Sequence, residues 1–386
     1  MKLLHTGDWH IGKVLRGVSR IDEQRSVLDE IVAVAEREAV DVVVVAGDVF
    51  ETAAPTPEAQ ALAWSTLLRL RAIGAEVLAV AGNHDPAESF DAVSPVFAGA
   101  GVTLLGRPRR PDAGGVVSLR ARSSGEPVRV ALLPFVSQRG MVRAADLFGG
   151  DAAQHAQRYT ERLGLLLGSL TAGFDGAAVN VLVFHGTVLG GRFGGGEREA
   201  QSIFDYVVPA TLFPPTVTYA ALGHLHRLQE LPAPCPLWYA GSPFAVDFGE
   251  EADTKHVVVI EAAPGRPAVV RPIPLVTPRA LRTVRGTLAS LAALAGEVGD
   301  ALLRVVVTEP GRAGLADEVR AVLPNAVDVR IEHAARPETR SVERGATTRT
   351  PQQLFHDFLG TQGIDDPRLE QLFGELLDAT LAGEGS

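Results

Sequence analysis

Seven side chains that can bind a metal ion follow five separate apolar segments of this 386-residue sequence. They are Asp8, His10, Asp48, Asn83, His185, His224 and His226. Apolar runs and small residues precede these positions, and a small residue lets the backbone turn sharply and expose the next side chain. An α/β sheet builds a site in this way at the carboxyl edge of its strands. We therefore expect the seven side chains to meet at such an edge.

The donor groups of this set are carboxylates, imidazoles and one amide, with no thiolate. They suit a hard or borderline divalent ion such as manganese, iron(II) or zinc. Seven ligands exceed the need of one catalytic ion, whereas two ions about 3.5 to 4 Å apart that share a bridging carboxylate would use them all. Each residue taken singly is typical of a hydrogen-bonded or solvated group at a strand end, but the recurrence at five places predicts a two-metal site.

The motifs also carry a family resemblance. In order they are Asp-x-His (8–10), Gly-Asp (47–48), Gly-Asn-His-Asp (82–85), the lone His185 and Gly-His-x-His (223–226). All five resemble those of the calcineurin-like metallophosphoesterase superfamily, and residues 5–12, 45–51, 221–227 and 239–243 are similar to its SbcD/Mre11-type nucleases. Two positions depart from the pattern. Gly7 stands where these relatives commonly carry Ser, and Glu51 stands where archaeal relatives carry a second catalytic-site His, whose role is therefore not transferred.

The resemblance implies a division of the ligands between two ions, for which Mn²⁺ is the expected metal. Asp8, His10 and His226 would hold one ion. Asn83, His185 and His224 would hold the other, with Asp48 between the two. His84 would protonate or stabilise the leaving oxygen, with Asp85 as a possible orienter of its ring. A supporting structural role is the alternative for His84, and packing or support of the site is the expectation for His5.

Periodicity predicts the elements that position these side chains. Buried strands are predicted at residues 2–6, 41–46, 76–81, 129–134, 178–184 and 217–222, and helices at 22–39, 57–73 and 151–170. The alternation of strand and helix at the start implies a sheet with right-handed crossovers, covered on both faces. Strands near 237–240, 256–261 and 268–272 are expected to complete a second sheet. The fold class is α/β, and the resemblance implies an αββα sandwich over residues 1–275.

The pattern changes after the proline-punctuated residues 272–278. A helix (281–294), a strand (301–308), a helix (315–322) and a strand (327–331) predict a small α/β module at 279–335. The resemblance implies that this module is a capping domain that covers the nuclease face, and a structural appendage is the alternative. The polar residues 336–350 predict a linker.

Residues 351–386 carry apolar side chains at helical spacing on two short helices. The residues expected to bind a partner are Leu354, Phe355, Phe358, Leu372, Phe373 and Leu376. Such a stripe packs either on the chain itself or on another protein. The resemblance favours docking onto the coiled-coil base of an SbcC-like ATPase of the SMC/Rad50 type.

Composition sets limits on the class of protein. The 46% hydrophobic content is enough to bury a large core in more than one domain. No apolar stretch reaches the length of a membrane span and none reads as a signal peptide, so we expect a cytoplasmic, nucleoid-associated protein with no membrane contact. The single cysteine, Cys235, excludes an internal disulfide and is expected to be inert.

Charge argues mildly against a nucleic-acid partner. The net charge is −10 and the pI about 5.5, whereas a free-standing DNA binder usually has a basic surface. Residues 266–349 nevertheless carry 13 Arg against 9 acidic residues. Lys13, Arg16, Arg192 and Arg198 either contact DNA phosphates or are solvated loop charges.

These features together predict a two-metal DNA nuclease subunit that hydrolyses phosphodiester bonds at double-strand ends and hairpins in DNA repair, recombination and replication. By resemblance it would act as a 3'-5' exonuclease and endonuclease, as a homodimer within a heterotetramer with the ATPase. Three alternatives stay open: a small-molecule phosphodiesterase or phosphatase with the same motifs, a non-catalytic scaffold on the same fold, and a protein phosphatase. The complete ligand set argues against a scaffold. Residues 239–243 and the C-terminal elements argue against the small-molecule enzyme.

Overall fold

The computed structural model describes residues 1–137, 152–195 and 207–332, together with residues 355–356, 358–360, 368–369 and 372–373. The strands in chain order are β1 (Lys2–Thr6), β2 (Val14–Leu15), β3 (Val18–Ser19), β4 (Val42–Ala46), β5 (Glu76–Val80), β6 (Val102–Leu105), β7 (Val116–Arg120), β8 (Pro127–Leu133), β9 (Val179–His185), β10 (Thr187–Val188), β11 (Val207–Val208), β12 (Tyr219–Gly223), β13 (Gln229–Leu231), β14 (Leu237–Tyr239), β15 (His256–Glu261), β16 (Val269–Pro274), β17 (Leu281–Gly286), β18 (Leu302–Val307) and β19 (Ala326–Ile331). The helices are α1 (Ile21–Arg37), α2 (Pro57–Ala72), α3 (Ala87–Gly99), α4 (Ala152–Thr171), α5 (Leu288–Ala293) and α6 (Leu315–Val322).

The first sheet has the order β16-β15-β1-β4-β5-β6. Strands β1, β4, β5 and β6 are parallel, and they are connected through α1, α2 and α3 as the sequence predicts. Helix α2 begins after Thr56, whose side chain accepts a hydrogen bond from the Ala59 amide, with Pro57 in its first turn. The parallel register brings the carboxyl ends of β1, β4 and β5 to one edge of the sheet.

The second sheet has the order β13-β14-β12-β9-β8-β7. Its strands β8, β9, β12 and β14 are parallel, and Gly223 at the end of β12 lies opposite His185 at the end of β9. This register places the fourth and fifth motifs side by side.

Three apolar layers hold the two sheets and their helices together. The first joins the outer face of the first sheet to α1 and α2, as shown by the contacts of Leu4, Val43 and Val45 with the cluster that contains Val27 and Leu67. The second lies between the two sheets and contains Val42, Val44 and Val183. The third covers the second sheet with Leu163 and Leu167 of α4. The order helix, sheet, sheet, helix confirms the predicted αββα sandwich.

One prediction about the second sheet is wrong. Of the three strands expected to complete it, only β14 does so, because β15 and β16 belong to the first sheet. Strand β15 runs antiparallel to β1, with Leu3 opposite Ile260. The other edge of β1 pairs with β4, so β15 supplies the partners for backbone groups of β1 that would otherwise stay unpaired.

The C-terminal module also differs in one element from its prediction. The predicted helix at 281–294 is the strand β17 followed by the short helix α5, which begins after Thr287. Leu281 and Val284 are buried and three residues apart, a spacing that fits a helix, but the segment pairs in parallel with β18 from Leu281 to Gly286. Strands β17, β18 and β19 form a three-stranded sheet with an apolar cluster of their own, which includes Leu291, Leu303 and Val319.

The contact pattern divides the chain into residues Met1–Glu332 and His333–Ser386. In the second unit, the rings of Phe355 and Phe373 stack with their centroids 4.1 Å apart. The predicted residues Leu354 and Leu376 lie outside the described part of the chain. Among the described residues, no helix is long and apolar enough to cross a membrane.

Candidate metal centre

Each of the predicted ligands lies at or just beyond the carboxyl end of a strand of the sandwich. Strands β1, β4 and β5 of the first sheet lead to Asp8 and His10, to Asp48, and to Asn83. Strand β9 of the second sheet ends at His185, and β12 leads to His224 and His226. The two sheets therefore deliver their ligands to a common edge, as the sequence predicts.

The backbone at these positions is unusual. Four of the predicted ligands, Asp8, His10, Asp48 and His224, have positive φ angles of 51°, 43°, 47° and 106°. A positive φ costs a non-glycine residue roughly 1 to 3 kcal/mol and persists only where the surrounding structure over-determines it. Such strain clusters at functional sites, so the loops are held in shape for their side chains.

Glycines allow the motif loops to approach one another closely. A Cβ atom on Gly47, whose φ is +91°, would collide with the His185 ring, and one on Gly82 would collide with the Asp48 carboxylate. Position 47 therefore requires glycine both for its backbone conformation and for space, and position 82 requires it for space alone.

The ligand atoms gather in two groups around Asp48. Asn83 Oδ1 lies 2.9 Å from His185 Nε2 and 2.8 Å from His224 Nδ1. On the other side, His10 Nε2 and His226 Nε2 are 3.0 Å apart. Asp48 Oδ2 lies 3.4 Å from His185 Nε2 and 3.8 Å from His10 Nε2, between the two groups. Asp8 accepts hydrogen bonds from the His224 amide at 2.9 and 3.1 Å.

This grouping agrees with the predicted division of the ligands between two ions. Two sets of three potential ligands have ligand atoms within 4.8 Å of one another: His10, Asp48 and His84, and Asp48, His185 and His224. Asp48 belongs to both sets, as expected of a bridging ligand. The first set contains His84, which the sequence places beside the ligands rather than among them.

The protonation of these groups suits metal binding. Burial lowers the pKa of His10 to about 4 and that of His224 to about 3, so both imidazoles are neutral at neutral pH and keep a lone pair for a cation. Burial opposes ionisation of Asp48, but attraction to His185 outweighs it and holds the Asp48 pKa well below its usual range. Burial also lowers the pKa of His185, yet the Asp48 and Asp8 carboxylates raise it to about 9.

The donor set therefore fits a pair of divalent cations. Asp8, Asp48 and Asp85 are all buried within this edge, and burial raises the pKa of both Asp8 and Asp85 to about 7. Buried carboxylates are stable as anions only beside compensating positive charge. Bound cations would supply that charge, and the oxygen and nitrogen donors match manganese, iron(II) or zinc.

His84 is held by its backbone and by its ring. Its amide donates to Asp48 Oδ1 at 2.8 Å, and its ring Nδ1 lies 2.7 Å from the Glu51 carbonyl oxygen. A carbonyl can only accept, so Nδ1 carries a proton and Nε2 is the atom left to face a substrate.

The predicted role of Asp85 is wrong in its contacts. Its carboxylate accepts hydrogen bonds from the amides of Gly82, Val49 and Phe50 at 2.8 to 3.1 Å. It therefore ties the second motif loop to the third, while Glu51 orients the His84 ring. The prediction paired Asp85 with that ring because the two residues are adjacent, but adjacent side chains of a turn point in different directions.

Two glutamates of the site were not predicted. Glu51 Oε2 lies 2.9 Å from His10 Nδ1, and Glu250 Oε1 lies 2.8 Å from His226 Nδ1. Glu51 could have been suspected because it ends the second motif segment, at the position where the pattern departs from archaeal relatives. Glu250 has no local signal, since it follows Gly249 and precedes Glu251 in an ordinary acidic turn.

The other residues singled out from sequence have structural partners. His5 is buried, with Nδ1 2.9 Å from the Tyr219 hydroxyl, which agrees with its predicted supporting role. Cys235 is buried and its pKa is raised to about 12 by burial. Arg16 lies 3.4 Å from Asp328, and Lys13 lies 2.9 Å from Glu51. Arg198 is outside the described residues.

The arginine excess of residues 266–349 is largely paired within the described chain. The pairs are Arg271 with Glu38, Arg285 with Glu332, Arg304 and Arg330 with Asp328, Arg312 with Glu318, and Arg320 with Asp317. These guanidinium groups therefore do not form an unopposed basic surface.

Comparison with known proteins agrees with the geometry. Residues 1–228 match the family model described as calcineurin-like phosphoesterase, and residues 277–362 match the one described as type 5 capsule protein repressor C-terminal domain. The chain is 34% identical to the SbcD subunit of the nuclease SbcCD from Bacillus subtilis, over 69% of this chain and 68% of the relative. The protein of the same name from Rhodobacter capsulatus is 35% identical, over 72% and 70%. That of Escherichia coli K12 is 26% identical, over 100% and 99%. The chain therefore belongs to the calcineurin-like phosphoesterase family, and its similarity to SbcD proteins extends into the C-terminal module.

Proposed function

We propose that this protein is the metal-dependent nuclease subunit of an SbcCD-type complex and hydrolyses phosphodiester bonds of DNA at double-strand ends and hairpins. The observation that carries the proposal is the convergence of seven oxygen and nitrogen ligands around Asp48 in a chain whose relatives are named as the SbcD component of the nuclease SbcCD. DNA repair, recombination and replication are the processes that such a complex would serve.

Two divalent cations, with Mn²⁺ as the proposed metal, would be held in this site. Asp8, His10 and His226 would bind one of them, Asn83, His185 and His224 the other, and Asp48 both. When bound, the pair would supply an activated water for in-line attack on phosphorus and neutralise charge on the phosphoryl oxygens.

His84 is the proposed catalytic side chain outside the ligand set. Because its Nδ1–H donates to the Glu51 carbonyl, the neutral ring presents Nε2 as an acceptor, and only the imidazolium can donate from that atom. A protonated His84 would therefore give its Nε2 proton to the leaving oxygen or stabilise the charge that develops there. Asp85 would support this role indirectly, because its backbone hydrogen bonds fix the loop that carries His84.

The proposed partner is an SbcC-like ATPase of the SMC/Rad50 type, bound through residues 351–386. Within the described part of this segment, Phe358 and Leu372 expose 54% and 49% of their surface, and Phe355 stacks on Phe373. Exposed apolar side chains on short helices suit helix-on-helix docking. We further propose a homodimer within a heterotetramer, in a cytoplasmic and nucleoid-associated setting.

The proposed domain division is residues 1–275 for the nuclease, 279–335 for a capping domain, 336–350 for a linker and 351–386 for partner binding. The capping module rests on the nuclease domain through Leu281 and Leu302, which pack with Leu15 and Phe248. Leu15 belongs to the hairpin β2–β3, close in sequence to His10. This position supports a module that shapes access to the metal site.

A cleavage assay tests the proposal. The full-length chain, stripped of metal and then supplied with Mn²⁺, should cut a labelled DNA hairpin and degrade a linear duplex, and the ATPase partner with ATP should stimulate it. The Asp48→Asn variant serves as the control for contaminating nuclease. Hydrolysis of a small aryl phosphodiester with no DNA cleavage, both alone and with the ATPase, would refute the nuclease and favour the small-molecule enzyme.

A further inference from the structure

The chain contains three lysines among its 36 basic residues, namely Lys2, Lys13 and Lys255. Two of the three lie behind the metal site. Each contacts a glutamate, and each glutamate contacts a predicted ligand histidine. We call Lys13, Glu51 and His10 the first triad, and Lys255, Glu250 and His226 the second triad.

In the first triad, Lys13 Nζ donates to Glu51 Oε1 at 2.9 Å, and His10 Nδ1 lies 2.9 Å from Glu51 Oε2. The two carboxylate oxygens are therefore divided between the ammonium and the imidazole. The side chains of Lys13 and Glu51 expose 18% and 20% of their surface. Solvent reaches this triad from one side.

The second triad has the same connections but is buried. Lys255 Nζ donates to Glu250 Oε2 at 2.5 Å, and His226 Nδ1 lies 2.8 Å from Glu250 Oε1. The ammonium has two further acceptors, the Ser242 hydroxyl oxygen at 3.0 Å and the His226 carbonyl oxygen at 3.4 Å. Three acceptors match the three protons of an ammonium. Glu250 Oε2 also accepts from the Ser242 hydroxyl and the Val246 amide.

Both triads set the same chemistry at the metal side of the ring. A carboxylate accepts from Nδ1–H, which fixes the tautomer in which Nε2 carries the lone pair. The Nε2 atoms of His10 and His226 are 3.0 Å apart. Two neutral rings of this tautomer cannot hydrogen-bond to each other through Nε2, since both atoms are acceptors, but they can share a cation.

We propose that Glu51 and Glu250, each held by a lysine, are positioning residues that fix the tautomer and direction of His10 and His226 so that both rings bind the same metal ion. The inference rests on the proposed metal site and deepens it. Carboxylates behind ligand histidines raise the basicity of the ring and its affinity for metal, and their loss typically weakens metal binding by about 10- to 100-fold.

The first triad provides the decisive experiment because Lys13 can turn to solvent when Glu51 is changed. Mn²⁺ is titrated calorimetrically into the metal-stripped full chain. Glu51→Ala should weaken one of the two Mn²⁺-binding events by about 10- to 100-fold. Glu51→Gln keeps an acceptor oxygen for Nδ1–H and should restore much of the affinity. A purely electrostatic effect of the carboxylate would instead make Gln and Ala equal.

Glu38→Ala is the matched control. Glu38 pairs with the third lysine, Lys2, at 3.6 Å and with Arg271, at the opposite end of β1 from the metal site. It removes a similar glutamate from a similar ion pair and should leave both Mn²⁺ affinities unchanged. Unchanged Mn²⁺ binding in Glu51→Ala, or equal losses in the Gln and Ala variants, would overturn the proposal.

The second triad is tested with a double variant, Glu250→Gln with Lys255→Met, which removes both buried charges together and keeps an acceptor for His226. It should bind Mn²⁺ more tightly than Glu250→Ala with Lys255→Met, and equal affinities would count against the second triad. Failure of the proposed function has a different signature. A chain that binds two equivalents of Mn²⁺ with Glu51-dependent affinity but cuts no DNA would retain the triads and refute the nuclease.

Discussion

The ring of His185, at the end of β9, donates its Nδ1 proton to the carbonyl oxygen of Ala46, at the end of β4, over 2.7 Å. This hydrogen bond joins the carboxyl edges of the two sheets. It also leaves His185 Nε2 directed at Asn83 and Asp48. The geometry depends on Gly47, where any Cβ would strike the ring.

Replacement of Gly47 by alanine should therefore release metal from a folded chain. The φ of +91° costs alanine roughly 1 to 2 kcal/mol, and the collision displaces the His185 ring in addition. Metal content measured by elemental analysis should fall, with the circular dichroism spectrum retained. Gly114→Ala is the control, since Gly114 has a φ of +99° but no heavy atom within 4 Å of its Cβ position. Equal metal content in both variants would contradict the role of His185 packing.

Asp48→Asn should lose activity and the paired metal content together. The carboxylate lies between the two ligand groups, and the change removes one negative charge from both. Metal equivalents per chain and DNA cleavage are measured on the same preparation. Two full equivalents of tightly bound metal in this variant would reject the bridging assignment.

His84→Gln should separate chemistry from metal binding. Turnover should fall by about 10² to 10⁴, the usual scale for general acid or base catalysis, with metal content nearly unchanged. The glutamine amide can still donate to the Glu51 carbonyl, so the loop should keep its shape. Turnover equal to that of the unmodified protein would return His84 to a structural role.

Removal of residues 351–386 should abolish association with the ATPase and leave the nuclease folded. The apolar clusters that hold the sandwich and the module lie within residues 1–332. The truncated chain should bind metal and cleave single-stranded or frayed DNA with Mn²⁺, but lose stimulation by ATP. Copurification and cleavage assays check this. An insoluble or metal-free product would show that the terminal helices serve the catalytic core.

The thiol of Cys235 should resist modification in the native protein. Burial raises its pKa to about 12 from an ordinary 9.0, so the thiolate becomes rarer in the folded chain. At pH 8 the reactive thiolate is roughly 10⁻⁴ of the folded population and about a tenth of the unfolded one. Reaction with an aromatic disulfide reagent at pH 8 should be about a thousandfold slower than in urea. Equal rates would mean that Cys235 is exposed.

Sequence patterns located the elements where local physics decides. Strand β1 and helix α6 have the predicted bounds, because apolar runs and helical spacing there agree with their burial. The sheet that contains β15 was missed, since a buried strand looks the same in either sheet and only pairing with β1 decides. Strand β17 was missed because the spacing of Leu281 and Val284 fits two structures.

The ligands of the site were predictable because each follows a strand and a sharp turn. Glu250 was not, since its partners, His226 and Lys255, are brought to it only by the tertiary fold. Asp85 illustrates the same limit in reverse: its place beside His84 in sequence did not reveal that its carboxylate bonds to Val49 and Phe50.

The return of β15 to the edge of β1 has a consequence for how this chain is made. By residue 84 the growing polypeptide already carries the first three motifs, yet His224 and His226 come from the second sheet and β1 acquires its outer neighbour only at residues 256–261. A nascent chain shorter than this has an incomplete first sheet, and one that ends before residue 224 has an incomplete ligand set. Neither sheet can be excised as an autonomous gene fragment, and ribosome-bound intermediates would lack the assembled centre until translation has passed both halves.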